Sequence, residues 1–131
     1  MILDSHSLLW WLEGDDRLSA TAAKVFEEGR AGKRRLILNP VTFWELRLKE
    51  LRGTLQVKTS VALWPRVLED LKWIEVIDVG TDLWMALAEL DWPHRDPADR
   101  LIAATALKYD VPVLTKDKKF HQSGSPVEAV W

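Results

Sequence analysis

The stretch "DPADRLIAATALKYDVPVLTKD", residues 96–117, decides the fold. Asp96 is a ready N-cap, and Pro97 suits a first helical turn, where a missing N–H leaves no bond unmade. The run "LIAATAL" (101–107) then offers the apolar and small side chains of a buried helix, and "VPVLT" (111–115) reads as a short buried strand. A helix feeding such a strand is the unit of a parallel sheet covered by helices. Asp99 falls in the first helical turn and Asp117 just past the strand, so the segment carries two carboxylates where functional groups of such sheets gather.

The same grammar extends outward. At the N-terminus, "MIL" predicts a buried strand closed by Asp4, with a short helix over Ser7 to Leu12. Ser19 is the expected N-cap of "ATAAKVFEEGR" (20–30), in which Ala22, Val25 and Phe26 keep helical spacing and Gly29 and Gly32 act as the stop. "RLIL" (35–38) is a second strand, followed by a helix in "NPVTFWELRLKELRG" (39–53) with Pro40 in its first turn and Gly53 at its end. Phe43 or Trp44, Leu48 and Leu51 are its expected apolar stripe. "SVALWPRVLEDLK" (60–72) reads as helical with a break allowed at Pro65, "WIEVIDV" (73–79) as a third strand, and "TDLWMALAEL" (81–90) as a helix. The expected architecture is an α/β three-layer sandwich, a mostly parallel sheet flanked by helices, in one domain over residues 1–131.

Composition sets bounds on function. With 47% hydrophobic and 29% charged residues among 131, the chain can bury a core without disulfides or a structural metal. The absence of cysteine excludes thiol redox chemistry, thiolate zinc sites and cysteine nucleophiles, and fits a cytoplasmic protein. Asp4 interrupts the N-terminal apolar run and no basic segment precedes it, so no secretory signal is expected; "LLWWL" is too short to span a bilayer. The net charge of −2 alone argues, weakly, against a nucleic-acid binder, yet "GRAGKRR", "ELRLKELRG" and "TKDKKF" concentrate cations that either rim an acidic centre or form ordinary solvated faces.

Four acids share strand-end or helix-start positions: Asp4, Glu45, Asp99 and Asp117. A parallel sheet can bring them to one edge. Carboxylates crowded in a cleft repel unless a cation intervenes, and hard divalent ions such as Mg²⁺ or Mn²⁺ are the natural partners of such oxygen donors. These ions supply what phosphodiester hydrolysis needs: an activated water, a screened phosphate and a stabilised leaving oxygen. Capping is the commoner reason for any one of Asp96, Asp99 or Asp117, so spacing alone is a weak signal for a metal cluster.

At these residues the sequence resembles the PIN-domain family, and within it the VapC-type toxins of bacterial toxin–antitoxin pairs. "MILDSH" is similar to the family's opening strand and Asp, with Ser5 where Thr is usual; "NPVTFWELRLKELRGTL" resembles the segment carrying its Glu, which falls on Glu45. "HRDPADRLIAATALKYDVPVLTKDKKF" carries the third and fourth family acids onto Asp99 and Asp117. The resemblance implies a Mg²⁺- or Mn²⁺-dependent endoribonuclease, commonly a homodimer, inhibited by a cognate antitoxin. It implies metal binding by Asp4, Glu45 and Asp99, with Asp117 completing the catalytic set. Asn39 stands where Ser is commoner, and Asp96 is an additional acid best read as the helix cap. A non-catalytic RNA-binding or interaction module and a structure-specific DNA nuclease are the alternatives.

The remaining residues of interest receive simpler expectations. His6, His94 and His121 lack zinc-site spacing and suit surface or hydrogen-bonding roles. Ser5, Thr42 and Thr115 lack a nucleophile's setting, and the resemblance has them orient water or carboxylates. Among eight tryptophans, Trp44, Trp73 and Trp84 have core-like spacing, whereas adjacent Trp10 and Trp11 cannot both face one core, which leaves one of them for a partner groove. The apolar side chains of "SLLWWLEG" and "LWPRVL" suggest self-association. Arg95 and Arg100 are placed to clamp phosphate, and Lys116, Lys118 and Lys119 suit a solvated loop.

Overall fold

The computed structural model describes residues 1–131. Five strands, β1 (Ile2–Leu3), β2 (Leu36–Leu38), β3 (Ile74–Val76), β4 (Val113–Leu114) and β5 (Ala129–Val130), form one sheet in the order β3-β2-β1-β4-β5. All four pairings are parallel. Six α-helices flank it: α1 (Ser5–Glu13), α2 (Ala20–Arg30), α3 (Val41–Leu51), α4 (Trp64–Leu71), α5 (Thr81–Glu89) and α6 (Pro97–Tyr109). Short 3₁₀ turns at Val61–Leu63 and Lys118–His121 complete the regular structure. This is the expected α/β sandwich with helices on both faces.

Side-chain alternation along the strands divides the interior in two. Leu3, Leu36, Leu38 and Leu114 point into a core shared with Leu8 of α1, Phe26 of α2, Leu46 of α3 and Leu68 of α4. Ile2, Ile37 and Val113 point the other way, onto Leu83 of α5 and Leu101 and Ile102 of α6. Burial on both faces explains why these strands read as continuous apolar runs.

Most expected elements form. Ser19 caps α2 by accepting from the Ala22 N–H at 3.0 Å, and the Asp96 carboxylate accepts from Ala98 and Asp99 at the start of α6. Pro65 lies in the first turn of α4, where it starts the helix after the preceding 3₁₀ turn rather than breaking it. Gly29 is not a stop. It lies inside α2, where a Cβ would stand 2.6 Å from Leu36 Cδ1, so it permits the helix to approach β2 closely. The expected stripe of α3 is also shifted: Thr42 and Leu46 are buried, while Trp44 and Leu51 are exposed. The edge strand β5 has only two residues and carries no period-two signal that a sequence reading could detect.

Candidate active site

The parallel register creates the site. Leu3 aligns with Leu38 on one side and Leu114 on the other, so the next residues, Asp4, Asn39 and Thr115, emerge together at the carboxyl edge. β1 is where the strand order reverses, with β2 and β3 on one side and β4 and β5 on the other. The crevice between β1 and β4 is therefore the topological switch point, the usual ligand position in open parallel sheets.

Asp4 occupies the N-cap position of α1, yet its carboxylate caps nothing. Instead the Thr115 hydroxyl donates to Asp4 Oδ2 at 2.7 Å, and the residue is 4% exposed. His6 Nδ1 stands 3.9 Å from the same oxygen. Hydrogen bonding toward the Asp4 side chain raises the His6 pKa above its ordinary value; burial opposes this and the Asp4 charge adds to it. A buried, oriented carboxylate without a capping function sits at the crevice.

Glu45 approaches from α3. Its Oε2 accepts from Ser5 Oγ at 2.6 Å, and its Oε1 accepts from Lys49 Nζ at 2.6 Å. Ser5, immediately after Asp4, also accepts from the Thr42 hydroxyl at 3.4 Å, so the first turns of α1 and α3 are tied together. Lys49 follows Glu45 by four residues, one helical turn, and that partner was legible in the sequence.

Asp99 comes from the first turn of α6, where its carboxylate is hydrogen-bonded to His94 Nε2. Burial pushes the Asp99 carboxyl above its ordinary range; the His94 bond opposes this, and the charges of Asp96 and Asp4 add to it. Lys119 Nζ lies 3.7 Å from Asp99 and 3.5 Å from Asp117, bridging the two. Asp117 also caps the 3₁₀ turn after β4 by accepting from the Lys119 N–H at 3.0 Å, and its own N–H donates to Thr115 Oγ1 at 3.0 Å. Thr115 thereby joins Asp4 to Asp117.

The fold thus brings all four acids to one edge, each beside a basic side chain. Asp4, Asp117, His6, Trp10 and Lys116 line an open cleft of about 220 Å³ there. No three Asp, Glu or His side chains stand as a closed ligand set, and Glu45 in particular is engaged through both oxygens. The donor chemistry nonetheless fits a hard divalent cation: Asp4 is a buried carboxylate held by Thr115, and a cation would offset the burial and the Asp96 and Asp4 charges that push the Asp99 pKa up.

Several expected roles are corrected. Arg100 holds no phosphate site: its guanidinium donates to the carbonyls of Leu87, Leu90, Trp92 and His94, fastening the segment after α5 to α6. Asn39, by contrast, still donates a hydrogen bond, to Thr105 at 2.8 Å, and accepts from the Val41 N–H at 2.9 Å. Trp10 is buried and Trp11 stacks on Phe26 at 4.9 Å, so both pack against one core, with Trp10 also bordering the cleft beside Asp4. Trp44 and Trp84 are the exposed ones, at 54% and 53%. His94 was missed as a partner of Asp99 because the two meet across the bend that precedes α6, where no helical spacing applies.

A family model for the PIN domain matches residues 1–124. The chain is 30% identical to ribonuclease VapC22 of Mycobacterium tuberculosis over 136 aligned residues that span 100% of this chain and 98% of that protein. Its fold is similar to that of VapBC2 from Rickettsia felis, a crystal structure bound to a DNA fragment from its promoter, with TM-score 0.68 and 14% identity over 98% of this chain and 96% of that one. A toxin–antitoxin complex from Klebsiella pneumoniae gives TM-score 0.63 and 16% identity over 97% of this chain and 98% of that chain.

Proposed function

The chain belongs to the PIN-domain family, and from that membership and the acidic edge we propose that it is a Mg²⁺- or Mn²⁺-dependent endoribonuclease, the toxin of a toxin–antitoxin pair. The carrying observation is Asp4: a buried carboxylate that caps no helix and is aimed by Thr115 at the switch point. Asp4 and Asp99 would hold the metal, joined by Glu45 once it releases Lys49. When bound, such an ion supplies activated water and charge screening for phosphodiester hydrolysis.

The protein's own groups divide the remaining work. Thr115 fixes the Asp4 carboxylate and Ser5 fixes that of Glu45. Asp117 completes the negative edge and holds Lys119 beside Asp99. The relative named as a ribonuclease supports RNA as the substrate, and the toxin–antitoxin structures support an antitoxin as the partner. A homodimer accounts for the exposed Trp44, Trp84 and Met85, two of which border an apolar cleft of about 520 Å³ with Pro40, Val41, Val79 and Leu101. The membrane has no place in this reading, and no helix is long and apolar enough to cross one.

The test is cleavage by protein purified free of antitoxin. Structured RNA should be cut with Mg²⁺ or Mn²⁺ and left intact with EDTA, and folded Asp4→Asn or Asp99→Asn protein should be inactive. Undiminished activity in EDTA would refute the metal mechanism, and cleavage of DNA in preference to RNA would reassign the substrate.

A further inference from the structure

Lys116 is the one lysine or arginine lining the cleft beside Asp4 and Asp117. Two other lysines along the acidic edge are committed, Lys49 to Glu45 and Lys119 to Asp99 and Asp117, and Lys118 of the same loop does not line the cleft. Lys116 has no carboxylate within ion-pair distance. Its ammonium instead lies 5.5 Å from the ring centroid of Trp10.

Trp10 is itself a rigid support. It is 7% exposed and meets Trp131 edge-on at 5.4 Å. Arg17, the other cation over its ring at 5.1 Å, is neutralised by two hydrogen bonds to Asp15. The indole faces an ammonium with attraction on the order of 0.5–1 kcal/mol at an exposed site, enough to bias a flexible side chain without neutralising its charge. An exposed lysine between two carboxylates would otherwise fold onto them. Here it keeps its charge available at the mouth of the cleft.

We propose that Lys116, positioned by Trp10, binds a backbone phosphate of the RNA next to the scissile one at the acidic edge, and that the strand enters along this cleft. This rests on the ribonuclease reading and assigns its substrate path. A positive group is needed there on electrostatic grounds. The edge is acidic and the chain carries a net charge of −2, so a polyanion requires at least one uncommitted cation to offset repulsion as it approaches. Lys116 is exposed, so its substitution removes only its contact with the Trp10 ring.

The experiment measures binding and cleavage separately. Fluorescence anisotropy with a short labelled single-stranded RNA of mixed sequence, in EDTA across a salt series, reads affinity without turnover. Lys116→Ala should weaken binding roughly tenfold and lower the slope of log Kd against log salt by about 0.7, the contribution of one phosphate contact to a single strand. Lys116→Arg should restore both. Lys118→Ala, the same loss of charge on the same loop, should stay within about twofold of wild type. With metal present, Lys116→Ala should raise KM and leave kcat nearly unchanged. Trp10→Leu, if it folds, should show the Lys116→Ala defect, and the double variant should lose no more; if it does not fold, the lysine variants alone decide the assignment. Wild-type-like binding by Lys116→Ala, or an equal loss in Lys118→Ala, would overturn the assignment even if the wild type cuts RNA. A wild type that neither binds nor cuts RNA would overturn this assignment and the ribonuclease reading together.

Discussion

Thr115 and Asp4 are separated by 111 residues in the chain and by 2.7 Å in the fold, with the Thr115 hydroxyl donating to a carboxylate that is almost wholly buried. A buried charge deprived of its donor keeps its desolvation cost and loses the compensating bond. Thr115→Val should therefore lower unfolding free energy by roughly 1–3 kcal/mol in urea titrations and impair RNA cleavage, whereas Thr115→Ser should retain most of both. A Thr115→Val protein as stable and active as wild type would show that the bond orients nothing.

Asp4 and the other acids impose like-charge repulsion on the metal-free fold. Asp4→Asn should raise the melting temperature in EDTA and shrink the further rise that Mn²⁺ produces. Wild type should gain about 2–3 kcal/mol when the metal is about a hundredfold above its dissociation constant. Equal responses of the two proteins to Mn²⁺ would remove Asp4 from the ligand set.

Asp99 predicts a specific pH dependence. Burial raises its folded-state pKa above the unfolded value, so the ionised carboxylate costs stability at neutral pH, and that cost disappears as pH falls through the raised value to the ordinary one. In EDTA, Asp99→Asn should be more stable than wild type near pH 7, and the difference should close below about pH 4. A difference that widened on acidification would reverse the sign and refute the burial argument.

Gly29 predicts a packing defect far from the site. A methyl group there meets Leu36, a fully buried residue of β2 that faces α2. Gly29→Ala should lose roughly 1–3 kcal/mol despite the better helix propensity of alanine. Gly32→Ala, in open space but at φ 69°, should lose stability through backbone strain alone. Thermal melts of the two variants separate overpacking from strain, since Gly29→Ala alone should be rescued by Leu36→Val.

Trp44 and Trp84 predict the association state. Both are more than half exposed and border the same apolar cleft. Wild type should be dimeric by light scattering, and Trp44→Glu should yield a folded monomer. A monomeric wild type at all micromolar concentrations would exclude this face as a self-association surface.

The sequence by itself determined what depends on near neighbours in the chain. Ser19 and Asp96 cap their helices because a cap needs only the next three residues, Pro97 starts α6 for the same reason, and the continuous apolar runs of β1, β2 and β4 announced strands buried on both faces. The positions of Asp4, Glu45, Asp99 and Asp117 at strand ends and helix starts were legible too. Only the tertiary structure decided what those side chains meet. Parallel register placed Thr115 beside Asp4, and the bend before α6 delivered His94 to Asp99. Arg100, adjacent to the acids in sequence, was taken by carbonyl groups of the preceding segment. The tryptophans exchanged their expected places because helical spacing defines which residues share a face, while the sheet and the neighbouring helices define which face is covered. Trp10 and Trp11 lie where α1 meets the first core and Trp131, whereas Trp44 and Trp84 lie where α3 and α5 turn outward. Burial is a relation between elements, and the pairing of those elements is fixed by contacts across the whole chain rather than by any single segment.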